Sequence, residues 1–373
     1  MNASESSPRL EPKKEGSFRV VKSEPLTRIC TILLEAAGAS NNEAQAVAEG
    51  CVNANLVGHD SHGVIAIPYY IDCIKAGKII PGAKWTIVEQ SPTTAVIDGG
   101  WGFGFDVSAR AMALTIKKAK AANVAACTVF RQGHVGRLGM YPLMAARAGM
   151  IGFAAADSGR SPYVAPFGGR EARLGTNPIS IAVPSDLEAP FLLDMATSAV
   201  AAGKINLAAK RLEDIPKGWI IDADGRPTTD PRDYINGGAL LPLGGTEGYK
   251  GSGLAAMVEV LCRLLTGPDF EVAPSSRENF SCLFAAVNVA AFRPLRQFKE
   301  EVADFARYLK STPLSEGSSG VFHPGELGHL HERERRANGI SVDNATWEKL
   351  RALANDYGLS LELDRLLRGG GDA

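Results

Sequence analysis

Between Trp85 and Asp157 the chain alternates short apolar runs with longer stretches of helical period, and this alternation restricts the fold more than any other feature. "WTIVEQ" and "TTAVIDG" have the length and β-branched content of strands, with the glycine-rich turn "GGWGFG" behind the second. Asp106 is placed to cap a long helix, "VSARAMALTIKKAKAAN", which leads to the apolar strand "VAACTVF". A loop then feeds the helix of "RQGHVGRLGMYPLMAARAG", and the strand "MIGFAAAD" follows. Strand, helix, strand, helix, strand implies α/β architecture. The glycines around His134 let the backbone turn sharply at a strand's C-terminal end, where α/β proteins place ligands.

Upstream, Ser40 and Glu43 form an S-x-x-E capping box for a helix that stops near Gly58, and Pro68 suits the first turn of the next helix. The polar group "HDSHG", residues 59 to 63, therefore sits at a helix-to-helix junction. From 157 to 246 Gly and Pro interrupt short apolar runs, which predicts strands joined by turns. A helix in "GSGLAAMVEVLCRLL", a strand in "SCLFAAVNVA" and amphipathic surface helices near 295 to 310 and 344 to 356 complete the pattern.

Composition narrows the function classes. With 373 residues and 45% hydrophobic content the chain has enough apolar material for two or three packed lobes. Forty Lys plus Arg balance 41 Asp plus Glu, and without a basic stripe a nucleic-acid partner is not expected. The apolar runs fall short of the ~20 residues that a bilayer span needs, so no membrane partner is expected either. The N-terminus, "MNASESSPRLEPKKEGSFRVV", lacks the apolar core of a secretory signal and reads as a disordered arm. The six cysteines are scattered without a C-x-x-C pair, as reduced thiols in a cytoplasmic core would be.

"GHDSHG" raises three chemistries. A catalytic zinc needs three protein ligands, and neither this motif nor "HLHERERR" at 329 to 336, which reads as a solvated helix start, supplies that spacing; no metal is expected. A serine hydrolase needs a nucleophile elbow, but G-x-S-x-G is missing and adjacent residues such as Ser61 and His62 usually point different ways. A Rossmann domain is not supported either, since "GGWGFGFD" lacks the G-x-G-x-x-G spacing. What stands is the clustering of His59, Asp60, Ser61 and His62 beside glycines, as in an acid/base centre, with His59 and Asp60 as local caps.

Taken in order, "GHDSHGV" (58 to 64), "GHVGRLGMY" (133 to 141), "VAPFGG" (164 to 169), "RLGTNPISIAVP" (173 to 184), "LLDMATSAVAAGKI" (192 to 205), "GYKGSGLAAMVEVL" (248 to 261) and "HPGE" (323 to 326) resemble the type-2 malate/L-lactate dehydrogenases. The flavour is nearest to the hydroxycarboxylate dehydrogenase subgroup. The resemblance implies a non-Rossmann NAD(P)-binding α/β fold, with a mixed, mostly antiparallel sheet flanked by helices. It further implies a homodimer that moves hydride between NAD or NADP and C2 of a 2-hydroxy or 2-oxo acid. The implied division is a disordered arm over 1–22, a helical, dimer-associated domain over 23–80 and 295–365, and an NAD(P)-binding domain over 81–294.

The same resemblance implies the site. His62, in a relay with Ser61 and Asp194, is the favoured proton carrier, and His134 is a substrate-polarising group or the alternative base. Thr176, Arg137 and Arg160 are expected at the substrate. Cofactor contacts are expected from His62, Gly136, Arg137, Leu138, Asn177, Leu192, Leu193, Asp194, Met195, Ala196, Ser281, Pro324, Gly325 and Glu326. One departure stands out: many members carry an arginine where this chain has Ala66, so a substrate carboxylate must find Arg137, Arg160 or Arg173, or the substrate is bulkier. Two other classes stay open, a nicotinamide-free hydrolase or lyase using Ser61, His62 and Asp194, and a catalytically silent member of the same family.

Overall fold

Ser40 closes its capping box: its hydroxyl accepts the Glu43 N–H at 3.5 Å, and the Glu43 carboxylate accepts the Ser40 N–H at 3.0 Å. The computed structural model describes residues 18–159, 162–267 and 277–369. Its described residues form two units, one within 18–72, 183–192 and 289–369, the other within 73–182 and 193–288.

The first unit begins with β1 (Phe18–Val21), α1 (Ser23–Ala36) and α2 (Asn41–Leu56), and the chain leaves it along α3 (Ile67–Lys75). Leu26, Ile29, Leu33 and Leu34 of α1, and Ala44, Val47 and Cys51 of α2, repeat at the three- and four-residue spacing of a buried helix face. α2 ends as Gly58 turns to φ +86°, a left-handed conformation that glycine adopts without cost.

In the second unit β2 (Thr86–Gln90), β3 (Thr94–Gly102), α4 (Gly104–Ala122), β4 (Val124–Gln132), α5 (Met140–Arg147) and β5 (Met150–Ala156) follow one another, and β6 (Ile179–Val183) and β7 (Phe191–Met195) carry the chain across the unit boundary and back. A small lobe of α6 (Ala202–Arg211), β8 (Ile220–Ile221), β9 (Pro227–Thr228), α7 (Arg232–Ile235) and β10 (Ala239–Leu240) packs around Val164, Val200, Ile205 and Ile220. Then α8 (Tyr249–Glu259) runs into a π-helical turn at Val260–Leu264, ahead of β11 (Cys282–Asn288). The last part of the first unit holds α9 (Leu295–Lys310), α10 (Glu326–Asn338), β12 (Ile340–Asp343), α11 (Asn344–Asp356) and α12 (Ser360–Gly369).

The main sheet has the order β2-β3-β4-β11-β5-β6-β7. β3 and β4 are parallel, as the crossover through α4 requires, whereas β2/β3, β4/β11, β11/β5 and β5/β6 are antiparallel. This is the mixed, mostly antiparallel sheet expected. β11 lies between β4 and β5, so the two strands that flank the His134 loop are not neighbours. Ile97, Val129, Tyr141 and Phe284 are fully buried at its core, with Tyr141 and Phe284 edge to face at 5.5 Å.

Several expectations are corrected. The arm expected over 1–22 lies outside the described residues as far as 17, but Phe18–Val21 is a strand paired antiparallel with β12, because Val21 buries its side chain there. Asp106 stands inside the first turn of α4, where it pairs with Arg110, and the cap position belongs to Phe103. Residues 202–211, within the stretch read as strands and turns, form α6, since Ile205 gives it an apolar face for the small lobe.

Candidate functional site

The first unit builds its polar centre from the junction after α2. Asp60–His62 is a single 3-10 turn in which the His62 N–H reaches the His59 carbonyl at 3.0 Å. The tight winding brings Ser61 Oγ to 3.0 Å from His62 Nδ1, which corrects the expectation that adjacent side chains diverge. Asp60 accepts from Asn55 Nδ2 at 2.7 Å and from Arg335 of α10, so it anchors the turn to a second helix. "HLHERERR" is likewise no plain solvated stretch: His331 packs against Gly58, where a Cβ would lie 3.0 Å from its ring, and His329 meets Glu188 at 3.3 Å.

The "HPGE" turn is fixed to the start of β7. The Leu192 N–H donates to the Pro324 carbonyl at 3.0 Å, and Gly325, at φ +93°, has no room for a Cβ, which would lie 2.3 Å from the Pro190 carbonyl oxygen. His323 stacks on Phe191 with ring centroids 5.5 Å apart. Burial opposes the charge on Glu326, but the Lys310 ammonium and the His323 N–H overcome it and hold that carboxyl below its usual range.

In the second unit the "GHVGRLG" loop turns on two glycines. Gly136 takes φ +67°, and a Cβ there would come within 2.3 Å of the Phe105 ring. At Gly139 a Cβ would lie 2.4 Å from Asp194 Oδ2, the oxygen that accepts the Gly139 N–H at 3.0 Å. Arg137 Nη1 reaches the same oxygen at 3.2 Å, with the arginine side chain 7% exposed and the aspartate 10%. Arg137, expected at the substrate and the cofactor, has its Nη1 paired with Asp194, and this buried cation thereby faces a buried counter-charge. Leu138, also expected at the cofactor, is 2% exposed within the apolar core. His134 is half-buried, edge to face with Phe280 at 5.3 Å, and its Nδ1 receives the Gly136 N–H at 3.4 Å.

Thr176, Asn177 and Ser281 gather around Asp157 at the end of β5. Asp157 Oδ1 accepts the Gly159 N–H at 2.8 Å and the Ser281 N–H at 3.3 Å, while Oδ2 lies 3.1 Å from the Arg263 guanidinium. Arg263 Nε is 3.4 Å from Glu259, whose other oxygen accepts from Asn177 Nδ2 at 3.1 Å. The circuit closes at Ser158, whose Oγ accepts the Asn177 N–H at 3.3 Å and sits 3.2 Å from Thr176 Oγ1. Burial is the main reason that the Asp157 carboxyl is pushed up to about 6; the Arg263 charge opposes it and Glu259 adds to it. Asn177, expected at the cofactor, is fully buried, its Nδ2 donating to the Ala255 carbonyl and to Glu259 while its Oδ1 has no partner among the described residues. Ser158 and Thr176 are half-buried.

The structure thus brings Ser61 to His62, Leu192 to Pro324, Arg137 to Asp194, Thr176 and Asn177 to Ser158, and Ser281 to Asp157. Leu193, Met195 and Ala196 run along or just past β7, with the Leu193 carbonyl accepting from Ser180 Oγ at 2.7 Å. Arg160 lies outside the described residues, and Arg173 is exposed and paired with Glu171. Motif reading passes over Asp157, Ser158, Glu259 and Arg263. The available signal is the pair Glu259 and Arg263, a charge and its opposite one turn apart in an otherwise apolar helix. Among the described residues no group of three or more His, Cys, Asp and Glu side chains is placed to hold a metal, and no helix is long and apolar enough to cross a membrane.

Comparison with known proteins places these motifs in one family. The family model of malate/L-lactate dehydrogenase matches residues 21–351. A malate dehydrogenase of Pyrococcus horikoshii is 37% identical over 353 residues, covering 92% of this chain and 97% of that protein. Its solved structure superimposes with a TM-score of 0.85 at 34% identity, covering 94% of this chain and 98% of the other. An L-sulfolactate dehydrogenase of Methanocaldococcus jannaschii is 36% identical over 348 residues, covering 92% and 98%. Hydroxycarboxylate dehydrogenase B of Escherichia coli K12 is 32% identical over 333 residues, covering 87% and 91%. With a family model spanning most of its length and relatives this similar from end to end, the chain belongs to the malate/L-lactate dehydrogenase family.

Proposed function

We propose that the chain is an oxidoreductase that interconverts a 2-hydroxy acid and its 2-oxo acid with NAD or NADP, working as a cytoplasmic homodimer. The observation that carries this reading is the 3.0 Å contact of Ser61 Oγ with His62 Nδ1, in a chain of this family. Malate, sulfolactate and hydroxycarboxylate, which name the relatives, share a hydroxyl beside a carboxylate.

The donor set suits a dinucleotide. Ser158 and Thr176 offer a neutral hydroxyl pair, and the carboxylates of Asp157 and Asp194 are each faced by an arginine, so their charge does not oppose the phosphates. The segments at 192–196, Ser281 and 324–326 are the remaining proposed contacts. When bound, the nicotinamide supplies or accepts the hydride at C2. His62 carries the proton: in reduction Nε2 gives it to the C2 oxygen, while the Ser61 hydroxyl on Nδ1 fixes the ring's orientation. Histidine is the side chain whose chemistry suits proton exchange near neutral pH. Asp194 supports the site from within its pairing with Arg137 and Gly139, and His134 polarises the substrate or is the rival proton carrier. Thr176 orients the substrate, whose carboxylate meets Arg137 or Arg160.

The test is to follow near-ultraviolet absorbance of NADH and of NADPH with a panel of 2-oxo acids. Oxidation with one acid supports the reading; absence of turnover with every acid and either coenzyme removes it. Asparagine at His62 or at His134 then identifies the proton carrier, since wild-type kcat across pH clears the residue replaced.

A further inference from the structure

The turn that carries Ser61 and His62 is gripped by a residue 275 positions away in sequence. Arg335, on α10, donates from Nη1 to Asp60 Oδ1 at 2.6 Å and from Nη2 to Asp60 Oδ2 at 3.1 Å, and Nη1 also donates to the Asn55 carbonyl. Its side chain is 12% exposed, so this end of the contact is shielded from water although Asp60 itself is half-exposed. Asn55 completes the frame: Nδ2 donates to Asp60 Oδ1 at 2.7 Å, and Oδ1 accepts the Val64 N–H at 2.8 Å. One amide thus ties the residue before Ser61 to the residue after Gly63, and one guanidinium holds both Asp60 and Asn55. Gly63 is pressed into the frame, since a Cβ there would lie 2.3 Å from Asn55 Oδ1.

We infer that Arg335 is a positioning residue for His62, acting through Asp60 and Asn55 to hold the turn in which the Ser61 hydroxyl meets the imidazole. The inference rests on the reading of His62 as proton carrier. Its chemistry calls for arginine: a planar fork spans two carboxylate oxygens and a carbonyl, whereas the single ammonium of lysine does not. Small misplacements of an acid/base group are costly, up to about a hundredfold for about 1 Å.

The experiment compares Arg335→Ala, Arg335→Lys and His62→Asn in the full chain, reading kcat and KM across pH, the His62 ring signals by NMR, and rescue by free guanidinium. In Arg335→Ala we expect kcat to fall by about tenfold or more, KM to change less than kcat, the His62 ring signals to shift, and guanidinium to restore part of the rate. Arg335→Lys keeps the charge and is expected to keep the loss; it carries the comparison should the alanine variant fail to fold. Folded variants with wild-type kcat and unmoved His62 signals overturn the inference. So does a rate loss that only follows the folded fraction and that guanidinium does not relieve. His62→Asn at wild-type kcat removes the proton-carrier reading instead, while the ring signals still report whether Arg335 holds the turn.

Discussion

Arg137 and Asp194 meet 3.2 Å apart, 57 positions apart in sequence, with both side chains almost wholly buried. The Gly139 N–H points at the same carboxylate oxygen. An arginine and a glycine of "GHVGRLG" therefore both serve an aspartate of "LLDMATS", and the two motifs form one polar unit at the end of β7.

Breaking that pair by replacing one partner leaves a buried charge uncompensated. Arg137→Met or Asp194→Asn alone is expected to destabilise the protein by about 3 kcal/mol, and the double variant by clearly less than the sum. Urea unfolding of the three variants checks this; strict additivity contradicts it.

Asp157 makes a stability difference that depends on pH. Its folded-state value of about 6 lies above the ordinary 3.8, mainly through burial, so the folded protein binds this proton more tightly than the unfolded chain does. The stabilising effect is full below about 3.8 and is lost as pH rises through about 6. Stability of Asp157→Asn relative to wild type is therefore expected to rise across that window and level off above it. Thermal melts at matched pH values test the sign, and a gap that moves the other way refutes it.

Two glycines give opposite expectations. Gly63→Ala forces a Cβ onto Asn55 and is expected to cost about 1 to 3 kcal/mol and to lower kcat with it, because the Ser61–His62 turn must shift. Gly253, exposed within α8, has open space around its Cβ position, and Gly253→Ala is expected to add about 0.5 to 1 kcal/mol. Melting curves of both variants decide.

All six cysteines are free and buried, and burial pushes the Cys30 thiol up to about 12. A thiol reagent near neutral pH is expected to leave the native protein unlabelled and to label every cysteine after unfolding. Fast labelling of the folded protein counts against the buried placement.

Much of this was legible in the residues because the signals are local. Ser40 and Glu43 sit three positions apart, and the strands and helices between Trp85 and Asp157 declare themselves by period. The ordered motifs identify the family for the same reason, being contiguous. The pairings of Asp157 with Arg263 and of Asp60 with Arg335 are not legible, since each charge meets its partner 106 or 275 positions away.

By itself the sequence determined the α/β class, the boundaries of α2 set by Ser40 and Gly58, and the chemical types present around His62 and His134. The tertiary structure alone decided that β11 lies between β4 and β5, that Arg137 turns inward to Asp194, and that Arg335 holds the Ser61–His62 turn. The physical reason is range: backbone preference and capping act over a few neighbouring residues, whereas strand order and buried charge pairing are settled by whichever distant groups satisfy each other once water is excluded.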